Sequence, residues 1–260
     1  CTPYTRKTNP KKKFETREQD YSSPTREVVQ SLKPHLRAHV ALSAGYNNIG
    51  IRNLLKPLIK QGLKKGIAGE KSRIYRWTDR RYLNDIIQHV AQDGSKVHSA
   101  LAKVAKMHVV CYYEVGSKMT GDPPMHKESD LELVTRICWL LKDFRFTALN
   151  PETRAGLFQA DIIHTVICEA LFRQDGDGYH LARMPEFVDR FREYPDELIA
   201  LATCAVSFAL SQWQTGAFVK STFQERKYGT LYDDAVKTIK TMTSTNAAKA
   251  GWKIRKAGWY

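Results

Sequence analysis

The chain has 260 residues, 42% hydrophobic and 26% charged, an ordinary globular composition with enough length to bury a real core. No apolar run reaches the roughly 20 residues of a membrane span, no secretory signal is present and no CxxC pair occurs, which argues against a helical membrane protein and a structural zinc site. The net charge of +14 is the unusual quantity.

That charge is unevenly placed. Residues 1–81 hold 19 Lys and Arg against 6 Asp and Glu, residues 82–234 hold 16 against 21, and residues 235–260 hold 6 basic groups and no acid. Blocks of one sign flanking a mildly acidic body point to an acidic partner such as nucleic acid, an acidic protein or an anionic surface. Cys1, Cys111, Cys138, Cys168 and Cys204 are odd in number and widely spaced, and read as small buried hydrophobes of a reducing compartment. The chain starts at Cys1 and not Met, as a fragment would, so the lack of an amino-terminal signal carries no weight.

Residues 1–22 are polar and basic without apolar periodicity, the pattern of a flexible arm. Lys11, Lys12 and Lys13 make a short cluster that fits a nuclear import signal or a phosphate contact, and equally a solvated tail. Order is expected from Ser23-Pro24, with Val28, Val29, Leu32, Leu36 and Val40 as an apolar face, Pro34 kinking or dividing the helix and Gly45 ending it. A second amphipathic helix follows at 51–66, Leu54, Leu55, Leu58 and Ile59 inward, Lys56, Lys60, Lys64 and Lys65 outward.

From 66 to 81, Lys71, Arg73, Arg76, Arg80 and Arg81 alternate with Tyr75 and Trp77, so cations that contact phosphates sit beside rings that stack on bases or anchor the loop to its own core. Two helices are predicted at 79–92 and 95–115, and a turn-rich connection at 116–127. Ser129 and Glu132 form an S-x-x-E capping box before Leu131, Val134, Ile137, Cys138 and Leu141. The next helix is expected to start near Pro151 or Phe158 and to carry Ile162, Ile163, Val166, Ile167 and Leu171.

The stretch Pro195–Gly216 is apolar almost all round, with Asp196 and Glu197 at its amino end and one stripe of small polar residues, Thr203, Ser207 and Ser211. It is too short to span a bilayer and so reads as the buried central helix of the domain. Thr222 and Glu225 are expected to cap the last long helix, striped by Tyr228, Leu231, Tyr232, Ala235, Ile239 and Met242. The basic tail adds Lys253, Arg255 and Lys256 beside Trp252, Trp259 and Tyr260.

The motifs F-x-x-D-I-I-H-x-V-I-x-E-x-L-F at 158–172, P-x-E-L-I-A-L at 195–201 and F-A-L-x-x-W-x-T-G at 208–216, with Tyr228, Tyr232 and the segment 28–46, resemble an uncharacterised all-helical domain of unknown function abundant in mushroom-forming (basidiomycete) fungi. The resemblance implies an all-α intracellular domain and transfers no activity, cofactor or catalytic residue.

Chemical motifs fail one by one. GLKKGIAGEKS at 62–72 lacks the Gly before Lys-Ser and the preceding strand of a phosphate loop, and Glu70 would repel the phosphate. Asp175, Asp177 and Glu186 fall at calcium-loop positions, yet His180 stands where the turn needs Gly. His35 and His39 share a helix face without a third ligand, as do His108 with Cys111 and His164 with Cys168. His164 is the histidine to watch, with Asp161 one turn away, and a hydrogen-bonded core residue is its ordinary reading. No G-x-S-x-G elbow occurs.

The expected fold is all-α: a multi-helix globular domain around a buried helix at about 195–215, with basic flexible ends. Its parts are a basic arm at 1–22, a single helical domain at 23–243 made of a basic part (23–81) and an acidic body (82–234), and a basic aromatic tail at 244–260. The expected function is non-enzymatic binding of nucleic acid or another polyanion inside the cell and in the nucleus, without cofactor or metal. Its contacts are Lys11, Lys12, Lys13, Lys64, Lys65, Lys71, Arg73, Arg76, Trp77, Arg80, Arg81, Lys253, Arg255 and Lys256. The alternative is an interaction or self-assembly module whose basic ends dock on the acidic body of another copy. A dispersed active site around His164 ranks behind both.

Overall fold

Apolar periodicity of 3.6 dominates the chain, and the computed structural model is all-α accordingly. It describes residues 21, 23–44, 52–60, 80–115, 129–173, 189 and 193–259, and among them the only strand-like pairing is the isolated bridge Asn150–Ala155. The helices are α1 (Ser23–His39), α2 (52–60), α3 (Arg80–Tyr112), α4 (Asp130–Leu141), α5 (Asp161–Ile167), α6 (Asp196–Ser211), α7 (Glu225–Met242) and α8 (Asn246–Ala257). Single π turns extend α1 through Val40–Ala44 and α5 through Cys168–Phe172. None of the described helices is long and apolar enough to cross a membrane.

The described residues divide into two compact units, those among 1–39 and 47–95 and those among 40–46 and 96–260. In the first, Val28, Val29, Leu32 and Leu36 of α1 are buried as their spacing requires, with Leu55 and Ile59 of α2 and Leu83, Ile86, Ile87 and Val90 of α3. Arg37 pairs with the buried Asp93, which satisfies the carboxylate. Pro34 neither divides α1 nor ends it.

The second unit is built on α6. Every residue from Leu198 to Leu210 is buried, and α4, α5, α7 and the π turn Val40–Ala44 pack on it. Inside such a helix the polar groups must bond locally: Thr203 Oγ1 donates to Ile199 O at 2.9 Å. Along α7, Tyr228 sets its hydroxyl 3.2 Å from Ser211 Oγ and its ring edge-on to Phe208.

Local structure departs from the sequence expectations in several places. The predicted helices at 79–92 and 95–115 are one helix, α3, because the buried Gly94 is tolerated in the interior of so long an element. The α4 capping box is present, with both halves bonded, but the buried face is Leu133, Ile137 and Leu140, and Leu131 is 75% exposed. The helix expected near Pro151 or Phe158 starts at Asp161. Before it the chain doubles back through the Asn150–Ala155 bridge, and the Thr147 hydroxyl accepts the N–H of the buried Phe158. The amino cap of α7 is Gln224, without a side-chain bond, in place of the predicted Thr222 and Glu225. Of the cysteines expected to be buried, Cys111 and Cys138 are exposed and Cys168 is half-buried.

Candidate functional site

The tail read as flexible is helical, and its geometry defines the most elaborate polar and aromatic cluster among the described residues. Thr245 caps α8 by accepting the N–H of Ala248, and Arg255 and Lys256 fall in the last turn, where their charge suits the helix dipole. Spacing puts Trp252, Lys256 and Trp259 on one face, and all three are buried.

Beneath that face lies the start of α6. Trp252 Nε1 donates to Asp196 Oδ1 at 2.9 Å, and Lys256 Nζ donates to the same oxygen at 3.1 Å with Glu193 Oε2 at 3.7 Å. A lysine only 9% exposed is tolerable because two carboxylates meet its ammonium. Arg255 Nη2 donates to Gln159 O at 3.3 Å and sits 3.8 Å from Asp161 Oδ1. Lys253, well exposed, reaches Glu193 Oε1 at 3.3 Å, a pair that solvent weakens.

The aromatic half of the cluster centres on His164. Its ring and those of Tyr194 and Trp259 form a near-equilateral triangle of centroids, 5.8, 5.8 and 6.0 Å apart, with planes within 34° of one another. Phe172 stacks on Tyr194 at 5.5 Å, and Trp252 meets Trp259 edge-on at 6.1 Å. The π turn Cys168–Phe172 keeps Cys168 and Phe172 next to this group, with Cys168 Sγ 2.9 Å from Tyr194 Oη. Burial pushes the His164 pKa below the ordinary histidine value; the charge of Arg255 adds to that and Asp161 opposes it.

This is not a nucleophile and its base. Cys168 Sγ stands 3.6 Å from His164 Nδ1 and 3.7 Å from Nε2, and a sulfur equidistant from both nitrogens lies off the axis of either lone pair. Asp161, expected to orient His164, pairs with Arg255. Among the described residues no three His, Cys, Asp or Glu side chains converge on a metal position, and His35 Nδ1 lies 2.9 Å from the Ser31 carbonyl.

Of the predicted contact residues, Lys253, Arg255 and Lys256 come together here, and all three pair with carboxylates of their own chain, Lys256 alone being buried. A buried, doubly paired Lys256 is not placed to touch a phosphate. Arg80 and Arg81 open α3. Lys11, Lys12, Lys13, Lys64, Lys65, Lys71, Arg73, Arg76 and Trp77 lie outside the described residues, as does the calcium-like loop at 175–186. The sequence reading missed Asp196, Glu193 and Tyr194, having assigned Asp196 to the helix dipole alone. The i, i+4 spacing of Trp252 and Lys256 was the available signal. A recess of about 520 Å³ runs along α7 between Asp233, Val236, Lys237, Lys240, Thr241 and Ser244, all but Val236 exposed.

No curated protein and no solved structure matches the chain. A family described as a domain of unknown function, DUF6532, matches residues 33–242, from within α1 to the end of α7, and leaves α8 outside. With most of its length matched, the chain belongs to the DUF6532 family.

Proposed function

We propose that this chain is a non-enzymatic helical module that binds nucleic acid or another polyanion through its basic, aromatic-interleaved segments. One observation carries the reading: were every carboxylate paired with a cation, 14 cations would still lack one, and residues 1–81 supply most of the excess. The α8 carboxylate partners support it by subtraction, since Asp196, Glu193 and Asp161 already serve the tail. The contacts are then Lys64, Lys65, Lys71, Arg73, Arg76, Arg80 and Arg81, with Trp77 as a stacker and the Lys237 and Lys240 side of the α7 recess as a second surface. The same reading takes the protein as fungal and intracellular, with Lys11, Lys12 and Lys13 directing it to the nucleus.

Phosphate-dominated binding weakens with salt by a slope of about −0.9 per neutralised phosphate on duplex DNA. Isotherms with a fluorescent duplex and a single strand at two salt concentrations test this. Absence of binding to both at low salt rejects the reading.

A second reading, self-assembly through basic ends on an acidic body, is favoured by one specific contact. A basic end does dock on body carboxylates, within one chain, as Lys256 on Asp196 and Glu193. Light scattering at high concentration and low salt tests it, and a strict monomer there counts against it.

A further inference from the structure

The α8 helix stands apart from the family domain in two ways. The family match ends at Met242, so the groove that α8 fills is made wholly of matched residues while its occupant is not. The contact is also between opposites: α8, which carries no acid, contributes Lys253, Arg255 and Lys256, and the groove contributes Asp161, Glu193 and Asp196. Two indoles anchor the helix, Trp252 on Asp196 and Trp259 against His164 and Tyr194.

Only Thr243, Ser244 and Thr245 join α8 to α7. The bonds that hold α8 down run to Gln159, Asp161, Glu193 and Asp196 and none to that connection, so a like helix from another molecule is offered the same partners once the chain's own α8 is displaced. We infer that the groove formed by α5, Tyr194 and the start of α6 is a recognition site for a basic, tryptophan-anchored helix, and that its partner in trans is α8 of a second copy. The partner is specified by its chemistry: an indole N–H and an ammonium one turn apart for the single oxygen Asp196 Oδ1, and a second indole for the His164 and Tyr194 rings. This rests on the self-assembly reading and names its surface.

Two full-length variants separate groove from helix. Asp196→Lys keeps α8 and spoils the groove, whereas Lys256→Glu keeps the groove and spoils α8. Each alone should run at the monomer mass by light scattering, and an equimolar mixture should give a one-to-one complex of doubled mass that added salt dissolves. A mixture that stays at the monomer mass, with both variants helical by circular dichroism, overturns the inference. If either charged variant fails to fold, Asp196→Asn with Lys256→Gln serves in its place with the same two outcomes. Should the wild type associate while the mixed variants do not, self-assembly stands and this groove is not its basis. If neither associates, both fall.

Discussion

Trp252 and Asp196, 56 positions apart in sequence, are joined by an indole N–H that donates to the carboxylate at 2.9 Å, and the ammonium of Lys256 shares the same oxygen. A buried cation left with only the more distant Glu193 loses most of its compensation. Asp196→Ala should therefore cost about 1 to 3 kcal/mol, and Trp252→Phe, which deletes one donor and keeps most of the ring packing, about 1 kcal/mol. Urea denaturation followed by tryptophan fluorescence measures both. An unchanged midpoint in Asp196→Ala would show that α8 is held by its rings alone.

The docking of α8 should also depend on pH through His164. The groups facing it are Asp161, Arg255, Cys168 and the Tyr194 ring, and burial with the Arg255 charge lowers its pKa in the folded state. The unfolded chain takes up the proton at about pH 6.5, so it binds more protons than the folded chain just below that value. The His164 contribution is then fully present above pH 6.5 and is lost as pH falls toward the folded pKa, below which it stays constant. Arg255→Gln removes one of the two causes of the lowering and should raise the His164 titration midpoint, as followed by its ring protons in NMR. A midpoint at the ordinary value in the wild type contradicts the burial argument.

What the sequence made legible was what local chemistry decides. The α4 capping box needs only Ser129 and Glu132, which are one turn apart, and α6 needs only its own unbroken apolar circumference. Where two registers compete, spacing is weaker: Leu131, Val134 and Ile137 fit a helical stripe as well as Leu133, Ile137 and Leu140 do, and only the neighbours decide between them. The α8 site is of a third kind. Its carboxylates and its cations are contributed by segments far apart in the chain, so no local pattern couples them, and a basic tail looks the same in sequence whether it is solvated or docked.

Two glycines should respond to alanine with opposite sign. Gly216, just past α6, has φ +83°, and a Cβ there would stand 2.9 Å from both Cβ and the backbone oxygen of Asp130. Gly216→Ala forces both a left-handed alanine and a shift of the α4 start, and should destabilise by more than about 1 kcal/mol. Gly251 lies inside α8 with nothing within 4 Å of the added carbon, so Gly251→Ala should stabilise by about 0.5 to 1 kcal/mol through helix propensity. Thermal melts of the two variants decide it.

Stability and binding should separate cleanly in one last pair of variants. Leu201 is 1% exposed within α6, so Leu201→Ala opens a cavity in the buried core of the second unit and should cost about 2 to 5 kcal/mol. The substitution leaves every charge in place, and the salt slope of the proposed polyanion binding should not change at temperatures where the variant stays folded. Arg73→Gln with Arg76→Gln should do the reverse, reducing the magnitude of the slope by about 2 if each guanidinium neutralises one phosphate. A slope that follows Leu201 and ignores the two arginines would mean that the polyanion is held by the helical body and not by the basic segment.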